Sequence, residues 1–404
     1  MHAYRHGAGP VTAAIRDRII DAAATTFAAR GYHHAVIDEI SFDAGVSNDA
    51  LCDEFPDRYD LFSAAVLRAA ESTLRATDHL ASAPTDARQA RTQIIANIEA
   101  TAKATIARRN GSGFYRSQAR YLSPEHRARH RDLVEEVQER LRRPLAIMRP
   151  ELSPQDVRLL AAAAHSTIAS ITIHPTTLPE SKIFTLLTTA ALRVLDSRLG
   201  TLDDLDIDHP PVRLPWHDDR GSQNRAIESA MQLYAARGYE AVTIDDVAEA
   251  SGVPAEEIAR EVGSKYDLMH AGCVIGYSYL KVTNDAMLAL PGGPRAVLAG
   301  LCGSYVHHSF SDPESITVFL SDARNIPGAG RADLLDLQNE FLSIWIRTLS
   351  EARPELSQPE ASFLAFAALG IVSDLGRSIA WRDGAEIRAR IGRIVLVVMA
   401  TACP

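Results

Sequence analysis

The chain has 404 residues, of which 46% are hydrophobic and 23% charged, and a formal net charge of −9. That length predicts two domains or pairs of domains, each able to bury a core, with the composition of a soluble globular protein and no general attraction to nucleic acid. No apolar run reaches the roughly 18 residues of a membrane span, the first ten residues lack a secretory h-region, and Cys52, Cys273, Cys302 and Cys403 stand too far apart for a zinc ribbon or disulfide framework; the expected compartment is the cytoplasm.

Residues 1–11 read as a flexible tail. From Thr12 the pattern is helical: Ile15, Ile19, Ala22, Ala23, Thr26 and Phe27 recur at three- and four-residue steps. Gly31 is placed to stop that helix. Residues 37–44 form a short second helix with Ile37 and Ile40 inward, Gly45-Val46-Ser47 turns the chain, and Ser47 is a good N-cap for a third helix over 48–55. Asp57 can cap a fourth, longer helix through Leu61, Phe62, Ala65 and Val66.

The same four elements then recur. Gly31-Tyr32 returns as Gly238-Tyr239, an offset of 238 − 31 = 207, held without a gap from Arg18/Arg225 to Leu61/Leu268. The string RPELS at 149–153 returns at 353–357. The repeat therefore spans whole domains. Two copies in one chain can do covalently what a homodimer does with two chains. Between them, residues 200–221 carry six aspartates and three prolines, the composition of a linker. Residues 84–200 and about 291–404 read as further helices punctuated by proline. The last two of each copy, near 155–173 with 180–199 and 359–381 with 385–402, are strongly apolar.

Two short helices joined by a tight glycine turn are a helix-turn-helix, a form suited to the major groove. The series Ala23, Phe27, Gly31-Tyr32, Ile37, Ile40, Ala44-Gly45-Val46-Ser47, Leu51, Phe55 and Asp60-Leu61 resembles the headpiece of the tetracycline-repressor (TetR) family. The second copy matches it through Ala230, Gly238-Tyr239, Thr243-Ile244, Val247, Gly252-Val253, Ile258, Lys265 and Leu268. The resemblance implies an all-α fold with a DNA-binding headpiece at 12–70, a helical regulatory body at 71–200, a linker at 201–221, a second headpiece at 222–277 and a second body at 278–404. It further implies a transcriptional regulator, a repressor by family habit, released from operator DNA by a small effector. The two copies would pack through their terminal helices as a pseudo-dimer, with the whole chain a monomer or a homodimer.

By the same resemblance, the DNA-facing residues are Arg16, Ser47, Asn48, Asp49, Ala50, Asp53, Arg58 and Tyr59 in the first copy. In the second they are Thr243, Pro254, Ala255, Glu256, Glu257, Arg260, Lys265 and Tyr266. The chain departs from the family pattern in charge. Residues 12–62 hold four arginines against ten acids, a net −6, and residues 222–268 hold four bases against nine acids, a net −5. DNA affinity comes largely from neutralising phosphates, and although a carboxylate on a recognition helix can accept from cytosine N4, three per helix are hard to justify that way. A second reading follows: a ligand- or protein-binding pseudo-dimeric module whose acidic headpieces no longer bind operator DNA.

Residues 103–131 reverse the trend, with eight bases against one acid. They are read as an anion site, with Arg116 and Arg120 sharing a helix face, as an accessory nucleic-acid surface, or as solvated helix faces offset by the acids that follow. Tyr121 stands beside this pair as a further ligand candidate. In the second body the apolar candidates are Tyr305, Phe319, Phe341 and Trp345, so the effector is expected to be hydrophobic or anionic. His126 and His130 have the spacing of a helical metal pair but no third ligand, and His33-His34 and His307-His308 are adjacent, so no metal and no cofactor is assigned. No nucleophile elbow, P-loop or dinucleotide fingerprint occurs, and no enzymatic activity is expected.

Overall fold

The computed structural model describes residues 12–109, 119–199, 221–289, 291–322, 328–382 and 384–400. The tail at 1–11 and residues 201–220 of the acidic linker lie outside the described residues, as do Arg116 and Cys403. Among the described residues there are seventeen α-helices and no strand.

Local chemistry sets the headpiece boundaries. Helix α1 (Ala13–His34) starts where the Thr12 hydroxyl accepts the amide of Ile15, and its regular part breaks at Gly31, with φ +76°. The α1 assignment runs three residues beyond the glycine, so the expected stop is a kink inside the assigned span. Helix α2 (Ile37–Ala44) ends on Gly45 in the left-handed conformation, and Ser47 caps α3 (Asn48–Glu54) through the amide of Ala50. Asp57 caps α4 (Arg58–Thr77). In the second copy, α9 (Ser222–Arg237) ends on Gly238, α10 (Ile244–Ser251) on left-handed Gly252, and α11 (Ala255–Glu261) follows Pro254. Capping boxes built on Thr243 and Ser264 open α10 and α12 (Lys265–Leu288). Each headpiece closes over its own apolar cluster, centred on Phe27, Ile40, Leu51 and Phe62 in one and on Tyr234, Val247, Ile258 and Leu268 in the other.

The bodies do not close separately. The first comprises α5 (Ala87–Ala107), α6 (Pro124–Met148), α7 (Pro154–Ala169) and α8 (Glu180–Asp196). The second comprises α13 (Pro294–Ser311), α14 (Pro313–Asp322), α15 (Gly328–Ala352), α16 (Gln358–Ser378) and α17 (Ala385–Met399). Helices α7 and α8 pack against α16 and α17 as a four-helix bundle, so the copies form the internal pseudo-dimer that the sequence predicts. One apolar cluster runs through both bodies, from Ile94 to Met399. Ala161, Ala163, Ala164, Ala367 and Ala368 are wholly buried in it, and their small side chains let α7 and α16 approach closely. Polar ties cross the same seam: Ser166 Oγ donates to Asp374 at 2.6 Å, and Arg390 pairs with Asp156 at 2.9 Å.

Against the sequence expectation, one helix among the described residues is, by length and composition, long and apolar enough to cross a membrane. It is α16, and 72% of its most apolar window is buried inside the protein. Its hydropathy is that of a helix covered on all sides by the two bodies.

Three histidines sit in this core: His165 and His174 from the first copy and His308 from the second. Burial holds their pKa values at about 4, about 3 and about 4, below the ordinary 6.5. The folded chain keeps them neutral while the unfolded chain protonates them near pH 6.5. Their stabilising contribution is therefore complete above pH 6.5 and declines as the pH falls toward 4. Urea titrations at pH 7.5, 6.0 and 5.0 should show a falling midpoint, and a His165→Phe variant should lose up to about 1.4 kcal/mol per pH unit of that dependence. An unchanged midpoint over this range would contradict the buried, neutral assignment.

Candidate nucleic-acid interface and effector cavity

The recognition-helix positions point their acids outward. On α3, Asp49 and Asp53 are exposed, while Asn48 is held by Asp38 at 2.6 Å and by the Ser41 hydroxyl. Ala50 and Ser47 are spent on the cap. On α11, Glu256 is exposed, Ala255 and Glu257 are half-buried, and Arg260 is exposed beside Glu261 at 3.5 Å. Thr243 is bound into its capping box, where its hydroxyl and amide hold the Asp246 carboxyl at about 2.

The headpiece bases mostly have partners within the protein. Arg16 pairs with Glu54 and lies 4.7 Å over the Phe55 ring. Arg30 pairs with Glu39 at 2.5 Å and Arg237 with Asp246 at 2.9 Å. Arg58 donates to the His33 carbonyl at 3.1 Å. Lys265 donates to the Tyr239 carbonyl at 2.7 Å, and burial lowers its pKa. The two tyrosines expected near phosphates face the bodies instead. Tyr59 accepts the amide of Ser123 at 2.7 Å and meets His126 at 2.9 Å; a Cβ on Gly330 would overlap the Tyr266 hydroxyl. The outward face of each headpiece thus presents carboxylates, and most of its bases are already engaged.

Most of the basic stretch is structural. Arg108 pairs with Asp21 at 3.2 Å, and Lys103 lies over Phe184. Arg109 donates to the carbonyls of Ile171, His174 and Thr176 and lies over Phe363 of the other copy. Arg127 donates to the carbonyls of Arg120 and Leu122. Arg120, expected as an anion ligand, grips the buried carboxylate of Asp322 in the second copy. Tyr121, expected beside a ligand, stacks on Tyr32 at 5.8 Å and meets His33 edge-on at 5.2 Å. Arg120 and Tyr121 therefore form a joint between the copies. Gly238 completes it: with φ +85°, its added Cβ would lie 2.6 Å from the Tyr121 hydroxyl and 2.9 Å from Arg120 Nε. His34 and Glu240 approach to 3.4 Å beside it.

A cavity of about 640 Å³ opens in the second body. Tyr277, Phe319, Phe341 and Phe366 wall it, and Tyr305 lines it. Trp345 is not in the wall; it is fully buried behind it, 5.7 Å from Tyr305 and 5.8 Å from Phe341. His308 and Ser315, which the sequence did not mark as ligand contacts, supply polar groups. Both are buried, and the ring nitrogens of His308 and the Ser315 hydroxyl have no hydrogen-bond partner among the described residues. The three-residue step from Tyr305 to His308 is the signal that places the histidine on the same helix face. The first copy contributes Ala28, Ala29, Thr172, Ile173 and Pro175 to the boundary. At the same repeat offset, Ala69, Ala70, Thr73 and Thr101 line a smaller cavity of about 140 Å³ in the first body, with His130 and His165.

The family model for bacterial regulatory proteins of the tetR family matches residues 19–65 and 226–271, the two headpieces. No curated protein matches the chain. Among solved structures, a bacterial regulatory protein in the tetR family from Rhodococcus RHA1 is similar, at 21% identity, a TM-score of 0.40, and 45% of this chain and 98% of that one covered. The tetR-family transcriptional regulator PfmR from Thermus thermophilus gives 18% identity, a TM-score of 0.38, and 45% and 97% coverage. The ketosteroid transcriptional regulator KstR2 of Mycobacterium tuberculosis gives 15% identity, a TM-score of 0.39, and 45% and 96% coverage.

The joint makes a comparative prediction. Gly252 also has a left-handed φ, but nothing stands within 4 Å of an added Cβ. Gly252→Ala should cost about 1 kcal/mol of backbone strain, and Gly238→Ala should cost more, because it adds a clash with Tyr121 and Arg120. Thermal melts of the two variants should rank in that order; equal losses would remove the cross-copy contact from the account.

Proposed function

We propose that this chain, whose two headpieces both match the family model for bacterial regulatory proteins of the tetR family, is an effector-controlled transcriptional repressor working as a single-chain pseudo-dimer. The observation that carries this reading is the shared body core, which holds two unlike headpieces in one frame. Such a frame suits two half-sites one helical turn apart, or a multiple of it. Since α3 and α11 differ, the half-sites differ. Exposed Asp49 and Asp53 favour cytosine, whose N4 donates to a carboxylate.

The effector of this reading occupies the larger cavity. Aromatic walls favour an apolar body. His308, held neutral by burial, and Ser315 can exchange hydrogen bonds with one uncharged hydroxyl or carbonyl. Arg331 and Arg377 also stand at the cavity's boundary, Arg377 paired with Asp374 at 2.7 Å.

The internal ion pairs favour weak phosphate contact. Selection from a random DNA pool at low salt should enrich an asymmetric site with a cytosine in one half, and its affinity should fall only shallowly with salt. No enriched sequence would leave the protein- or ligand-binding module as the reading; a palindrome would overturn the unlike half-sites. For the cavity, 1-decanol titrated into the full chain should change the emission of Trp345, which packs behind the aromatic wall. Loss of one hydrogen bond in His308→Phe should weaken decanol binding about tenfold, equivalent to about 1.4 kcal/mol. An unaltered affinity would remove His308 from the effector's contacts.

A further inference from the structure

We propose that the cavity of the second body governs the first headpiece, across the copies, through α14 and the Arg120–Tyr121 joint. This rests on the reading that the cavity takes an effector, and it specifies which headpiece responds.

Two physical connections lead that way. The first is direct. The cavity boundary includes Ala28 and Ala29, on the last turns of α1 before Gly31, and Thr172, Ile173 and Pro175 of the first body. A molecule that fills the cavity therefore bears on the helix at the centre of the first headpiece. The second runs through α14. Ser315, Ile316 and Phe319 of that helix line the cavity, and Asp322 is its last residue. The Asp322 carboxylate is 1% exposed and accepts from Arg120 of the first copy. A buried pair of this kind resists separation, because removing either partner leaves a charge without water or counter-charge. A shift of α14 thus carries Arg120 with it. The next residue, Tyr121, stacks on Tyr32 and meets His33 edge-on, and both follow the Gly31 kink of the first headpiece.

The reverse route is missing. The first body's cavity, at the same place in the repeat, has about 140 Å³ against about 640 Å³, and its boundary is drawn wholly from the first copy. The wall of the larger cavity also includes Cys273, Gly276 and Tyr277 of α12, so one cavity touches both headpieces, its own through α12 and the other copy's through Ala28 and Ala29. By linkage, DNA on the first headpiece would alter affinity at the cavity by the same factor.

The test fills the cavity from within, so it does not depend on finding the effector. In the full chain, Leu342→Trp places an indole in the cavity. Hydrogen exchange is read separately on peptides from residues 13–34 and 119–123 and on peptides from residues 222–251. The expected result is at least a threefold change in exchange rate in the first set, abolished in its 119–123 part when Asp322→Asn is added. A change confined to the second headpiece would overturn the proposal, and so would no change in either with the fold intact by circular dichroism. Should Leu342→Trp fail to fold, Ser315→Met is the smaller filling variant and is judged by the same outcomes. Binding of 1-decanol to the unmodified chain is measured alongside. Decanol binding without a response in residues 13–34 sinks the cross-copy route and keeps the effector site; a response to filling without decanol binding keeps the route and sinks the proposed ligand chemistry.

Discussion

The continuous apolar core through α7, α8, α16 and α17 is the constraint on which the rest of the structure depends. Neither body can bury its terminal helices alone: each of these four presents aliphatic and alanine faces that only the other copy covers. Burial of that surface is the dominant favourable term in such an assembly. It also fixes geometry, because close-packed alanines on α7 and α16 leave little room for sliding. The headpieces inherit their relative placement from this seam, and the Arg120–Tyr121–Gly238 joint is possible only because the seam brings the first loop against the second headpiece.

Much of this was legible in the sequence, for physical reasons that differ by element. Gly45 and Gly252 mark turns because a left-handed φ excludes most other residues, and Ser47, Asp57, Thr243 and Ser264 mark helix starts because their side chains satisfy amides three residues on. These are local rules, readable from neighbouring residues. The pseudo-dimer was readable because the apolar terminal helices occur twice. What sequence could not supply was pairing at long range. Arg120 and Arg116 looked like one anion-binding face, but Asp322, 202 residues away, claims the first of them. Tyr59, placed by resemblance at a phosphate, is bonded to Ser123 and His126. A ligand site was expected among the second body's aromatics, and a cavity lies there, yet its polar end at His308 and Ser315 and its boundary with Ala28 depend on packing between helices distant in the chain.

The acidic headpieces are best understood through those pairings. A surface of net −5 or −6 is not a uniform field; Arg16, Arg30 and Arg237 are each bound to a carboxylate of their own headpiece. Such exposed pairs contribute little to stability, so a phosphate can exchange for the carboxylate at modest cost. What the exchange then releases is a carboxylate near DNA, which repels the backbone. In the proposed reading, this displacement limits affinity, and discrimination comes from base edges that can donate to an acid. Weak, selective binding is consistent with two headpieces on one rigid frame, because the second contact adds effective concentration without new phosphate neutralisation.

Fusion also changes what each copy is free to become. In a homodimer one sequence must serve both bodies, and any substitution that enlarges one cavity enlarges its twin. Here the repeat positions have separated: Ala69 and Ala70 face the smaller cavity where Gly276 and Tyr277 face the larger, and Thr101 occupies the place of His308. Those exchanges set one cavity of threonines and alanines beside one of aromatics with a buried polar end. The shared core tolerates the difference because the exchanged positions lie on α4, α5, α12 and α13, whereas its alanine seam lies on α7 and α16. A site present in one copy can influence a partner that lacks it only if packed groups carry the displacement between them, and the buried Arg120–Asp322 pair is the polar group that spans the copies at that point. Asymmetry of the two cavities and continuity of packing are thus two consequences of one covalent duplication.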